Sequence, residues 1–170
     1  MVVGADRKTA CCFTGHRKIP TDAIGGIQES LRREIERLYA ENGIATFYAG
    51  GAIGFDALAS EAVIERRAVH PDIRLVIVMP YKGQAKGRSA EERARQEHIK
   101  SSADEVICLA EHYCRGCMQR RNRYMVDRSG TCICYLTQDT GGTAYTVQYA
   151  RKRGLSTINL AEIQQKCVSR

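Results

Sequence analysis

Six short apolar runs alternate with helix-length segments along the whole chain, and this alternation limits the fold more than any other feature. The runs are Ala10 to Thr14, Ala45 to Ala49, Ile73 to Met79, Glu105 to Leu109, Thr131 to Leu136 and Ser156 to Leu160. Each is too short for a stable helix and long enough for a strand. The uninterrupted stretch Leu75-Val76-Ile77-Val78-Met79 is what a strand buried on both faces requires. A chain that passes through a helix after every strand builds a parallel sheet, because the returning strand must restart at the same end.

The intervening segments carry helix signals. After Pro20, Thr21 and Asp22 stand as capping residues, and Ile24, Ile27, Leu31, Ile35 and Leu38 recur every three or four positions. Asn42-Gly43 closes that helix as a left-handed cap would. A second helix is predicted from about Phe55 to Ala68, and Ser89-Ala90-Glu91-Glu92 has capping-box spacing at the start of a strongly polar one. The loop before it, Pro80 to Arg88, is long enough to serve as a lid. Met118 to Ser129 is predicted helical and stopped by Gly130, as is Thr143 to Arg153, stopped by Gly154. The tail after the sixth run reads as a brief or frayed helix. The expected architecture is α/β: a Rossmann-like, doubly wound, mostly parallel sheet of about six strands with helices on both faces, in one domain over residues 1–170.

At 44% apolar and 26% charged, the composition is that of a globular chain and not of a disordered one. The start, Met1 to Lys8, reaches charge before an apolar signal core can form, and no run is long enough to span a bilayer, so a cytoplasmic protein without membrane contact is expected. Eight cysteines raise the question of disulfides or metal. Cys11, Cys12, Cys108, Cys132 and Cys134 sit inside strand-like runs, where they act as small hydrophobes. Cys114 and Cys117 form a CxxC without a second ligand pair, so no metal is expected and the pair reads as a reduced, loop-borne one. The formal charge of +7 favours anionic partners, and it concentrates between Arg115 and Arg128 and again at Arg151-Lys152-Arg153.

In an open parallel sheet, ligands bind outside the carboxyl ends of the strands. After the first strand, Gly15 permits a positive-φ turn and close backbone approach, Arg17 offers a fork for phosphate, and His16 is a hydrogen-bonding or stacking group before it is an acid or base. After the second, Gly50-Gly51-Ala52-Ile53-Gly54 opens a helix whose backbone N–H groups suit an anion. Asp56, in the first turn, complements the helix dipole or holds a ribose hydroxyl. After the fifth, Thr140-Gly141-Gly142-Thr143 repeats the arrangement with a hydroxyl in reach. On the helix containing Arg121 and Asn122, Arg121 and Met125 share a face with Arg128, and Asn122 shares another with Val126. Periodicity leaves open which of these faces is buried.

Four segments, Phe13-Thr14-Gly15-His16-Arg17, Gly50 to Asp56, Arg121 to Asp127 and Gly141 to Thr146, resemble the YpsA-like branch of the SLOG superfamily. That superfamily also contains the LOG phosphoribohydrolases and the DprA/Smf proteins. The resemblance implies a Rossmann-like domain for a nucleotide or ADP-ribose-like ligand, in a binding or sensing role, and by analogy a homodimer. LOG enzymes use an arginine in R-K-x-x-M and a glutamate ending P-G-G-x-G-T-x-x-E. Here Arg121 and Met125 match, Asn122 replaces the lysine, and Gly141 and Gly142 match the glycine pair. Gln148, or Thr146 in the shifted register, stands where the glutamate would be, and neither supplies its charge. Asp56, Glu61 and Asp127 are the carboxylates that could substitute. Three functions follow: a nucleotide-ligand binding protein, an N-glycoside or phosphoribosyl hydrolase, and a DprA-like nucleic-acid binder, the last opposed by sparse aromatics with no Trp and three Phe.

Overall fold

A computed structural model describes residues 6–168, with side chains described as far as residue 165. Six strands form one sheet: β1 (Ala10–Gly15), β2 (Thr46–Ala49), β3 (Arg74–Met79), β4 (Glu105–Cys108), β5 (Thr131–Tyr135) and β6 (Ser156–Asn159). The order is β4-β3-β2-β1-β5-β6, and every neighbouring pair is parallel. Helices α1 (Ile24–Asn42), α2 (Phe55–Arg67), α3 (Ala90–Ser102), α4 (Cys117–Asp127), α5 (Gly142–Lys152) and α6 (Leu160–Val168) make the connections. The expected doubly wound α/β fold is present, with all six strands parallel. None of the described helices is long and apolar enough to cross a membrane.

The two faces follow from the two-residue period of the strands. Cys11 and Phe13 of β1 join Ile27, Leu31 and Ile35 of α1, Leu58 and Val63 of α2, and Leu160 of α6 in one apolar cluster. Ala10 and Cys12 face the other way, onto Met125 and Val126 of α4 and Val147 and Ala150 of α5. The chain steps outward from β1 to β4 with helices on the first face, then returns through α4 on the second face to β5, on the far side of β1. Strand order therefore reverses between β1 and β5, which opens a crevice at their carboxyl ends.

Several local expectations change. Thr21 and Asp22 do not cap α1; they lie in a 3₁₀ turn, Thr21–Ala23, that runs directly into it. Cys108 and Val106 are exposed because β4 is an edge strand. Cys117 is the first residue of α4 and is buried, so only Cys114 is exposed on the connecting turn. Gly130 is no helix cap: its N–H bonds to Ala10 O at 3.0 Å, and an added Cβ would lie 2.9 Å from the Arg7 carbonyl oxygen. The Ser89 capping box is formed as predicted, with Glu92 N–H on Ser89 Oγ at 3.1 Å and Ser89 N–H on the Glu92 carboxylate at 2.9 Å.

Candidate functional site

A cleft of about 340 Å³ lies at the β1–β5 reversal, and its lining comes from every segment singled out in the sequence. The end of β1 and the loop after it supply Thr14, Gly15, His16 and Arg17. The turn into α2 supplies Ala52 and Asp56, α4 supplies Met118, Arg121 and Asn122, and the start of α5 supplies Gly142 and Thr143. Three helix N-termini converge here, each bringing partial positive charge. Gly50, Gly51, Gly54 and Gly141 do not line the cleft; they shape the turns beside it.

Gly15 is not in a positive-φ turn. It is the last residue of β1, and it must be glycine because an added Cβ would overlap the Phe55 side chain. His16 links the loop on both sides. Its carbonyl accepts the Phe55 N–H at 3.1 Å, and its Nε2 accepts the Thr137 N–H at 3.1 Å, which requires the tautomer protonated on Nδ1. Burial holds the imidazole below its usual pKa, favouring that neutral state. The ring also meets Tyr135 edge-on at 6.3 Å. Arg17 is exposed. Among the described residues its only side-chain bond is to the Met118 sulfur at 4.0 Å, and no carboxylate lies within 4 Å of it.

The two glycine-rich helix starts differ. At α2, Gly51 and Gly54 adopt positive φ, and Asp56 is 7% exposed beneath the turn. Burial raises its carboxyl pKa, against the opposing pull of Arg121 and then of the Ala52 and Gly50 N–H groups. The turn's amides thus already face an internal carboxylate, and the His16 carbonyl takes the Phe55 N–H. At α5, Gly141 has φ 93° and ψ −174°, accessible to glycine alone, and no side chain caps the helix. Gly141 and Gly142 are exposed, and the Thr143 side chain is buried against the cleft.

Arg121 is 4% exposed and Met125 and Val126 are buried with it, so the buried face of α4 takes one residue from each expected face, and Arg128, expected beside Arg121, is exposed because it caps the helix end. Its guanidinium donates to Gly50 O, to Val78 O at 3.4 Å and to Asn122 Oδ1 at 2.7 Å. Burial, the largest influence, lowers its pKa, and Asp56 opposes this. Asn122 in turn donates to Thr146 Oγ1 at 2.8 Å, and that hydroxyl donates to Gly142 O. Sequence reasoning missed Arg88 and Gln84 from the loop after β3. Arg88 donates to Gly51 O at 3.3 Å and Gln84 to Gly50 O at 3.4 Å, so that loop docks on the glycine turn. Their signal was only the length of the loop.

Of the candidate substitute carboxylates, Asp56 alone lines the cleft. Glu61 pairs with Arg95 at 2.6 Å, and Asp127 accepts from Tyr149 Oη and Arg153 Nε, both at 2.9 Å. Gln148 is exposed and does not line the cleft. Among the described residues, no group of three or more His, Cys, Asp or Glu side chains is placed to hold a metal ion.

Compared with known families, residues 11–165 match the one described as the YspA SLOG family. The chain belongs to that family. Among relatives of this SLOG chain is the SPbeta prophage-derived protein YoqJ of Bacillus subtilis (strain 168), 29% identical over 138 residues, covering 74% of this chain and 81% of YoqJ. The fold is shared with DNA processing protein A of Streptococcus pneumoniae, with a TM-score of 0.63 and 17% identity over 87% of this chain. The SLOG chain spans about half of that protein, 48%. DNA processing protein A of Helicobacter pylori, whose structure describes a single-stranded DNA binding mode, matches with a TM-score of 0.58 and 16% identity. It is covered over 82% of its chain, against 96% of this one.

Proposed function

We propose that the protein binds a phosphate-bearing, nucleotide-derived small molecule in the β1–β5 cleft. The observation carrying this reading is the open N-terminus of α5, which shares the cleft with Arg17, a cation with no carboxylate within 4 Å among the described residues. A phosphate there accepts the first-turn N–H groups of α5 and the Arg17 fork, with the Thr143 hydroxyl beside it. Family membership supports the ligand class.

The test is a thermal-shift screen against nucleoside monophosphates, ADP-ribose and cyclic nucleotides, using wild type and Gly142→Asp. Gly142 has ordinary φ, and a Cβ there meets nothing within 4 Å, so the variant folds. A carboxylate at a helix start stabilises the apo protein while occupying the phosphate position. At a ligand concentration of 100 Kd, wild type gains about 2.7 kcal/mol, or roughly 5–11 °C at this chain length. The variant gains nothing. An equal shift in both proteins refutes the site. Chromatography of the same mixtures reads turnover: release of free base would make Asp56 the carboxylate to test next.

A second reading has its own observation. From Arg115 to Arg153 the chain carries eight basic residues against Asp127 and Asp139. On the opposite face, cations are paired: Arg32 with Glu65, Arg37 with Glu34, Arg67 with Asp104 and Arg95 with Glu61. A groove along α4 and α5 includes Arg120, Arg123, Arg128, Tyr124 and Tyr145, and Arg128 stacks on the Tyr124 ring at 3.5 Å. Flat guanidinium and phenol surfaces with excess positive charge suit single-stranded nucleic acid. Binding of oligo-dT that weakens with salt, with a slope smaller by about one in Arg123→Glu, would support this, and salt-independent or absent binding would remove it.

A further inference from the structure

A second chamber, of about 110 Å³, lies between α2 and α3 over the carboxyl ends of β2 and β3. It meets the cleft at Arg17 and Ala52, which line both. Ile53, Ala57 and Ile99 give it apolar walls, and Arg88 stands at its rim.

The chamber contains a polar anomaly. Gln96, on α3, lines it and is only 4% exposed. Its Nε2 donates to Gly51 O at 3.0 Å, while its Oε1 is buried without any hydrogen-bond partner. The amide cannot simply be turned over, since that would set Oε1 against the Gly51 carbonyl oxygen. Gln84, 6% exposed, repeats the arrangement one residue earlier: Nε2 on Gly50 O, Oε1 unpartnered. Buried acceptors without a donor are uncommon in folded proteins and call for a specific cause.

We propose that this chamber receives the nucleobase of the ligand, a base with an exocyclic amino group such as adenine, which donates to Gln96 Oε1. The inference rests on the reading of the β1–β5 cleft as the phosphate site. Apolar walls take the faces of the base, and the fixed acceptor selects an amino group over a carbonyl. Arg17 lines both spaces, and Arg88 lines the chamber. Burial, and after it the charge of Arg17, lower the Arg88 pKa, and neither arginine has a carboxylate within 4 Å among the described residues. A diphosphate that passes both arginines neutralises them, with the base in the chamber and the phosphate farther from it in the cleft, between Arg17 and the start of α5. A nucleotide with substituents on both ends of a diphosphate fits this layout better than a free monophosphate.

The experiment is calorimetric titration of ribose 5-phosphate, ADP-ribose and the hypoxanthine counterpart of ADP-ribose, into wild type, Gln96→Leu and Ala57→Leu. Wild type should bind ADP-ribose more tightly than ribose 5-phosphate, and about tenfold or more tightly than the hypoxanthine form, whose carbonyl faces an acceptor. Gln96→Leu should lose that discrimination and keep ribose 5-phosphate binding. Ala57→Leu, which fills the chamber without touching the amide, should reduce ADP-ribose to the affinity of ribose 5-phosphate. Equal binding of ADP-ribose and its hypoxanthine counterpart by wild type, or ADP-ribose binding unchanged in Ala57→Leu, overturns the chamber assignment and leaves the cleft standing. Failure of all three probes to bind wild type overturns the cleft reading, and this inference with it.

Discussion

Replacing Arg121 with Met separates a strut from a ligand arm. The guanidinium is buried and donates to the carbonyls of Gly50 and Val78, so it braces the glycine turn from beneath. Met has nearly the same reach and no donor. Without Arg121, Gly50 O keeps only the Gln84 bond at 3.4 Å, and Asp56 loses the strongest influence favouring its charged form. Removing one member of a buried charge arrangement costs about 3–5 kcal/mol, because the remaining group stays buried and uncompensated. For a chain of this length that is a fall in Tm of roughly 6–20 °C.

Urea unfolding measures the cost, and two further arms identify its cause. The double variant Arg121→Met, Asp56→Asn leaves no lone buried charge, so it should recover at least about half of the loss. The pH dependence has a definite sign. Burial already raises the Asp56 pKa above 3.8, and losing Arg121 raises it further. The folded carboxyl then binds its proton at pH values where the unfolded one does not, so stability falls as pH rises from the unfolded value through the folded one. The gap between wild type and Arg121→Met should be smaller at about pH 4.5 than at about pH 8. A variant that melts within about 2 °C of wild type yet loses its nucleotide-dependent shift would refute the strut and make Arg121 a ligand contact.

Three other perturbations test the elements that hold the cleft. Gly15→Ala drives a methyl into Phe55, which is fully buried and stacked on Tyr135 at 6.1 Å, so it cannot swing aside; a loss of about 1–3 kcal/mol is expected in denaturant melts, and an unchanged midpoint would disprove the close packing. His16 must be neutral to accept the Thr137 N–H, and its pKa is depressed by burial, so its contribution is present above the unfolded value of 6.5 and is lost as pH falls through the lower folded value. Hydrogen-exchange protection of Thr137, corrected for intrinsic rate, should drop over that range; a flat profile would mean the bond is not made in solution. Ser89→Ala removes the α3 capping box and should cost about 1 kcal/mol in denaturant melts, and an unchanged midpoint would mean that the box is not made in solution.

The fold was legible because the alternation of apolar strand runs and helical segments leaves few architectures that bury both faces of every strand. What periodicity could not resolve was α4, where Arg121 is buried against its hydropathy. Only partners distant in sequence, Gly50 O and Asp56, account for that face turning inward. Gln84, Arg88 and Gln96 were equally silent, since each is a polar residue in a polar stretch whose burial depends on the loop after β3 folding back over the glycine turn.

The two glycine-rich helix starts look alike in sequence and differ in structure for one reason. The turn into α2 is followed two residues later by a carboxylate, and Asp56 folds back under the Gly50 and Ala52 amides that an incoming phosphate would have used. The turn into α5 has Thr143 and Ala144 instead, so its amides stay open to the cleft. Asp56 therefore already does at α2 what Gly142→Asp would do at α5. If the variant lost the ligand while melting no lower than wild type, the difference between the two turns would reduce to the presence of one acid. The anion site would then belong to the helix start that lacks it.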